Sequence, residues 1–177
     1  GEKISSLRGL KYISCKDDAK GMYKERNIFR KIVKAVEHPE VTEDFIFLND
    51  DHYLLKPFDA ESLPFYYKSS LDETMSKNLG DYRKSVNHTR KYLIENNKPT
   101  LDFDTHFPIV YNKQKFLDTF VRNNLDWNRQ FGYIIKSLYC GINDIQGEFG
   151  GDCKIQHSMS YTEIVNKIGN RGFFSTS

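Results

Sequence analysis

Asn49, Asp50 and Asp51 stand directly after the apolar run Phe45-Ile46-Phe47-Leu48, so an amide and two carboxylates are delivered together at the end of one short segment. Oxygen donors of this kind hold divalent cations, and the simplest use of the cluster is to fix a metal against a phosphate. Adjacent carboxylates repel one another, a cost that a cation, backbone N–H groups or solvent offsets. Turn chemistry is the competing reading, because Asp and Asn also close strands and cap helices. The segment alone does not choose between the two.

Several elements must position this cluster. The apolar run lacks polar alternation, which describes a strand covered on both faces, as parallel strands flanked by helices are. In such sheets ligands bind outside the carboxyl ends of the strands, where the acidic cluster would sit. Upstream, Phe29, Ile32, Val33 and Val36 fall at i, i+3, i+4 and i+7 and predict an amphipathic helix ended by His38-Pro39. Lys11–Cys15 reads as a strand followed by a loop over 16–21, which completes a βαβ unit. The helix would begin near Lys24, Arg26 and Asn27, at the sheet edge that carries Asp51. Free N–H groups and basic side chains there suit phosphate, while a solvated first turn is the plainer reading.

Beyond Lys56-Pro57, Leu63–Tyr67 reads as a second strand within a region of turns, and Gly80–Asn97 as a helix. That helix sets Tyr82, Val86 and Leu93 against Arg83, Lys84, Arg90 and Lys91, a basic face that is ordinarily a solvated one. Leu101–Tyr111 reads as a strand entering a loop, with His106 just ahead of a helix over 112–120 capped by Asn112. A further helix is expected over 128–138. Glycines at 141, 147, 150 and 151 bracket a short strand before Asp152-Cys153-Lys154. Tyr161–Ile168 reads as the last helix, and residues 171–175 close the chain.

At 177 residues the chain fits one domain, 1–177, able to bury a core without disulfides. With 26 Lys+Arg against 24 Asp+Glu, the net charge of +2 is too balanced for a nucleic-acid or membrane surface. No apolar run is long enough for a membrane span, and Gly1-Glu2-Lys3 carries no signal-peptide pattern. Cys15, Cys140 and Cys153 are odd in number and form no Cys-x-x-Cys pair, so inert thiols in a reducing, cytoplasmic setting are expected. Cys153 with His157 is weak support for zinc. Aromatic residues make up 14% of the chain; most should serve the core, and some tyrosines could stack on sugars or bases.

In this order the pieces resemble the Stealth-type sugar-phosphate transferases and, more broadly, glycosyltransferases of the GT-A fold. The resemblance rests on Asn27 at a helix start, on Phe45-x-Phe47-x-Asn49-Asp50-Asp51-His52 followed by Lys56-Pro57, and on His106-x-Pro108 before a helix. Leu138-Tyr139 with Asn143, Asp152-x-Lys154 and Phe173-Phe174-Ser175 are weaker matches. It implies an α/β, Rossmann-like fold with a mostly parallel sheet flanked by helices, and a nucleotide-sugar donor whose diphosphate sits on Mn²⁺ or Mg²⁺. Asp51 would then be a metal ligand, Asp50 a ligand or ribose contact, and Asn49 an orienting group. Lys24, Asn27 and Lys154 would meet phosphate or substrate. His106 would contact phosphate or transfer a proton, a task suited to imidazole, and Asp152 would serve as the acceptor's base. A structural histidine and a solvated Asp-Lys pair are the plainer readings. Asp102 and Asp104 compete with Asp152, and sequence does not rank them.

The family carries more chain before its acidic block than Gly1–Leu48 provides. Either the sequence is a fragment lacking the part that grips the nucleobase, or the nucleotide pocket is incomplete. The expected function is metal-dependent transfer of a sugar or sugar-1-phosphate to a glycan or other hydroxyl acceptor, as in polysaccharide biosynthesis. A non-catalytic carbohydrate- or partner-binding relative is the alternative. A metal-dependent nuclease ranks last, because the chain has no basic excess to track nucleic acid.

Overall fold

A computed structural model of the chain describes residues 11–17, 24–123, 125–127 and 129–176. The first helix, α1 (Lys24–Val36), buries Ile32 and Val36, two members of the predicted apolar face. It leads through a turn into β1 (Asp44–Phe47). β2 (His52–Leu54) follows almost at once, and after a long irregular stretch come β3 (Tyr66–Tyr67) and β4 (Ser69–Ser70). Two helices pack next to each other, α2 (Leu71–Lys77) and α3 (Gly80–Glu95). β5 (Leu101–Asp102) and β6 (Ile109–Asn112) flank the loop that holds His106.

Asn112 ends β6 and caps α4 (Lys113–Leu117), its side chain accepting from the Lys115 N–H, and a π-helical turn, Asp118–Arg122, extends that helix. The chain closes through α5 (Ile135–Ile142), β7 (Glu148–Phe149), β8 (Lys154–Ile155), α6 (Tyr161–Ile168) and β9 (Phe173–Thr176). The helix expected over 128–138 corrects to α5, beginning later; residue 128 lies outside the described residues, as does most of the loop expected over 16–21.

The chain is mixed α/β with small sheets, some of them parallel. β1 pairs antiparallel with β6, β4 antiparallel with β5, and β3 parallel with β7. β9 is the middle of three strands, antiparallel to β2 and parallel to β8. The expected mostly parallel sheet is therefore corrected among the described residues. Phe45, Ile46 and Phe47 are half-buried in a two-stranded ribbon, so their lack of alternation reflects packing by large rings rather than a central position. Lys11–Cys15 is irregular rather than a strand, because its groups are engaged elsewhere: Lys11 pairs with Glu40, and Lys34 donates to the Ser14 carbonyl.

Two apolar clusters hold these pieces. The larger joins Ile32, Val36, Val86, Leu93, Tyr111, Phe116, Phe120 and Leu138, and the smaller joins Leu63, Phe107, Val110, Cys153 and Phe173. β6 divides them by strand alternation, with Ile109 and Tyr111 on the larger side and Val110 on the smaller. α1 is seated on the larger cluster through Phe29, whose ring stacks on Trp127 with centroids 4.0 Å apart and planes 4° from parallel. Gly141 lets α5 approach α3, since a Cβ there would lie 2.6 Å from Leu93 Cδ2 and 2.9 Å from the Pro99 carbonyl. No helix among the described residues is long and apolar enough to cross a membrane.

Candidate functional site

The acidic cluster is built by a tight turn. The His52 N–H donates to the Asn49 carbonyl at 3.3 Å, placing Asp50 and Asp51 at the two central positions of a four-residue turn. The turn-chemistry reading is thus correct for the backbone, while the side chains of Asn49, Asp50 and Asp51 line a cleft of about 850 Å³. β9 fixes the turn from the far end of the chain. The Thr176 N–H donates to the Asp51 carbonyl at 3.2 Å, and Ser175 Oγ donates to Asp51 Oδ2 at 3.1 Å. His52, Ser175 and Lys154 lie in register across β2, β9 and β8. The three short motifs around residues 52, 154 and 175 therefore meet in one sheet.

His106 reaches the same cleft from the loop between β5 and β6, and its surroundings fix its orientation. Asp152 accepts the His106 backbone N–H at 3.1 Å and contacts its Nδ1 at 2.8 Å through Oδ2 and 2.9 Å through Oδ1. Lys136, buried in α5, donates to the carbonyls on either side of His106, those of Thr105 and Phe107, each at 2.8 Å. Cys153 Sγ donates to the His106 carbonyl at 3.0 Å. Burial pushes the Asp152 carboxyl up, and the hydrogen bonds and charge of His106 outweigh it, leaving the group at about 2. Asp152 is therefore ionised at neutral pH.

Lys24, Lys31, Lys68, Lys136 and Lys154 all line the cleft, opposed by Glu25, Asp50, Asp51 and Asp104. Lys136 is shifted downward by burial, partly countered by Asp104. Of the two residues expected to meet phosphate at the start of α1, Lys24 lines the cleft and Asn27 does not. Of the two carboxylates that compete with Asp152, burial removes Asp102 from the cleft while Asp104 lines it. Asp102 is fully buried and accepts from Thr74 Oγ1, Ser137 Oγ and the Asp104 N–H, with Lys68 Nζ 3.5 Å away. That carboxylate organises the core beneath the cleft.

Asp104 faces the cleft and accepts from Tyr82 Oη at 2.9 Å. Burial, then the Asp104 and Asp102 charges, push the Tyr82 phenol upward. Lys68 and Lys136 escaped the reading of the sequence and Tyr82 was read only as part of a helix's apolar face, because no motif marks the position of any of the three. Only the topology brings them to His106.

The Asp51 carboxylate suits a divalent cation: Oδ2 is held by Ser175, whereas Oδ1 is buried without a hydrogen-bond partner. Among the described residues no three His, Cys, Asp or Glu side chains converge on one point. The donor set thus fits Mg²⁺ or Mn²⁺ held by one or two carboxylates, with waters and substrate phosphates completing the shell. Zinc at Cys153 and His157 does not fit: Cys153 is buried, with burial raising its thiol to about 12, and His157 is exposed. Cys140 is likewise buried and raised by burial, while Cys15 is half-buried; all three thiols are free.

No protein-family model matches the chain, and neither a curated protein nor a solved structure matches it.

Proposed function

We propose that the chain is a metal-dependent transferase of the Stealth or GT-A kind, taking a nucleotide-sugar donor and passing a sugar or sugar-1-phosphate to an acceptor hydroxyl. The observation that carries this reading is the convergence in one cleft of the Asp50-Asp51 pair, the Asp152-bound His106, and the cationic Lys24 and Lys154. Residues from both ends of the chain meet there. Lysines opposite carboxylates suit an anion that arrives with its own cation, as a diphosphate does.

Asp51, with Asp50, would hold Mg²⁺ or Mn²⁺. When bound, such an ion neutralises the charge that develops on the departing nucleotide. Lys24 and Lys154 would orient the phosphates by charge. His106, with Nδ1 bound to Asp152, has Nε2 left to take the proton from the acceptor hydroxyl. The ionised Asp152 would stabilise the imidazolium formed.

For sugar-phosphate transfer the acceptor oxygen bonds to phosphorus, the P–O bond to the nucleotide breaks, and a nucleoside monophosphate leaves. For sugar transfer it bonds to the anomeric carbon and a nucleoside diphosphate leaves. The His106-x-Pro108 match favours the first.

A donor-hydrolysis screen with and without Mn²⁺, on wild type and Asp51→Asn, tests this reading. Wild type is expected to release nucleotide only with metal, and Asp51→Asn to lose that release. Equal release by both would remove Asp51 from the mechanism. The carbohydrate-binding alternative draws on one feature, the exposed Tyr53 ring stacked on Phe174 at 5.0 Å. Calorimetry separates the two readings, since a pure glycan binder gives no metal-dependent heat with nucleotide sugars.

A further inference from the structure

Two buried polar atoms in the acidic turn have no hydrogen-bond partner among the described residues, Asp51 Oδ1 and His52 Nε2, and they lie 4.0 Å apart. The His52 side chain is completely buried. Its other ring nitrogen, Nδ1, lies 3.4 Å from the Asn49 backbone N–H and accepts from it. A ring nitrogen that accepts carries no proton, so the proton of the neutral imidazole sits on Nε2. The orphaned pair is then an N–H donor and a carboxylate oxygen, complementary in kind and too distant for a direct hydrogen bond.

We propose that His52 is the positioning residue for Asp51, its Nε2–H holding Oδ1 through one bound water while Ser175 Oγ holds Oδ2. Two hydrogen bonds of about 2.8 Å that meet at a water with an angle of about 90° span this separation. Nitrogen and oxygen ligands about 2.1 Å from an ion stand about 3 Å apart in adjacent octahedral positions and about 4 Å apart in opposite ones, so a shared metal ion would have to sit between the two atoms and take a lone pair from each. Nε2, being protonated, has no lone pair to give.

The architecture supports the same role. The turn hydrogen bond between residues 49 and 52 and the β2–β9 pairing fix the His52 backbone on both sides, so the ring has one place to be. A carboxylate has about four lone-pair sites. With one site on each oxygen engaged inside the protein, the remainder are presented to the cleft in a set direction. The inference rests on the transferase reading for the cation at Asp51, but not for the His52–Asp51 coupling itself.

The test compares His52→Leu with His52→Gln, whose amide N–H can replace the Nε2 donor. Mn²⁺ binding is read from the free-ion electron paramagnetic resonance signal, with Mn²⁺ alone and with a nucleoside diphosphate. His52→Leu is expected to weaken Mn²⁺ binding about tenfold, the scale of lost support behind a metal ligand, and His52→Gln to stay within about threefold of wild type. A folded His52→Leu that binds Mn²⁺ as wild type does overturns the proposal.

Nitrogen NMR of the His52 ring in wild type and Asp51→Ala decides the matter without any metal. An Nε2–H tautomer whose resonance moves in Asp51→Ala supports the coupling. An Nδ1–H tautomer, or a resonance that does not move, refutes it. Wild type that binds no Mn²⁺ under either condition would defeat the cation reading at Asp51 and leave the NMR result to judge His52.

Discussion

Asp152 is bound to His106 Nδ1, and in the proposed mechanism it supplies the charge that stabilises the imidazolium, so replacing it separates charge from shape. Asp152→Asn keeps a side chain of the same size that can still accept the backbone N–H of His106. It loses the anion that stabilises an imidazolium, so nucleotide release is expected to fall about a hundredfold or more with Mn²⁺ binding little changed. The same carboxylate links stability to pH. Its folded value of about 2 lies below the ordinary 3.8, so its contribution is present above about pH 4 and is lost as pH falls through about 2. In urea titrations between those limits, the gap between wild type and Asp152→Asn should narrow as the solution is acidified.

Lys136 tests the backbone on either side of His106. Lys136→Met strands two carbonyls that now accept from an ammonium group, and about 2–4 kcal/mol of stability should be lost in chemical denaturation. Much of the site was legible as residue types. Lys24, Asn49, Asp50, Asp51, His106 and Lys154 do line one cleft, with Asp152 behind His106. Lys136, Lys68 and Tyr82 were not legible as site residues, because a lysine or tyrosine in a helix or between short strands has the same local signature whether it faces water or a buried polar group.

Among the described helices, α6 stands apart because it buries none of its residues, although it carries Tyr161, Ile164, Val165 and Ile168. Its support is local: Ser160 and Glu163 form a reciprocal capping box at its start. Ser160→Ala should therefore cost about 1 kcal/mol within this helix. The effect should show as faster amide exchange over 161–168, with the exchange of α3 and α5 unchanged.

The helices α1, α3 and α6 are readable in the sequence because apolar spacing and capping residues act within a few positions of each other. α2 carried a readable signal as well, Ser70 three residues before Glu73, with the Glu73 N–H bound to Ser70 Oγ. Strand pairing was not readable. β2 (residues 52–54) pairs with β9 (residues 173–176) across more than a hundred residues of sequence, and two-residue strands such as β3 and β7 leave too little pattern to specify a partner. The all-apolar run at 45–48 misled for the same reason: bulky rings can cover a two-stranded ribbon as a full sheet would.

At the scale of the molecule, the cleft is floored by the larger apolar cluster, whose Ile32, Tyr111, Tyr133 and Ile135 line it. One side is the acidic turn, anchored by the last strand; another is α1, contributing Lys24, Glu25, Ile28, Lys31 and Ile32. Trp127 is the only tryptophan in the chain, and its indole stacks on Phe29 of that helix while Nε1 donates to the Phe120 carbonyl at 3.3 Å. The protein therefore has a single indole, whose emission can be excited apart from that of its 11 tyrosines, stacked on the wall of the cleft. Denaturant transitions followed by tryptophan emission and by circular dichroism should coincide, because that ring is part of the main packing. Phe29→Leu should change the emission spectrum of the native state before any loss of helical signal. On the proposed reading, titrating a nucleotide sugar into the protein is expected to change that emission, a test of binding that needs no label.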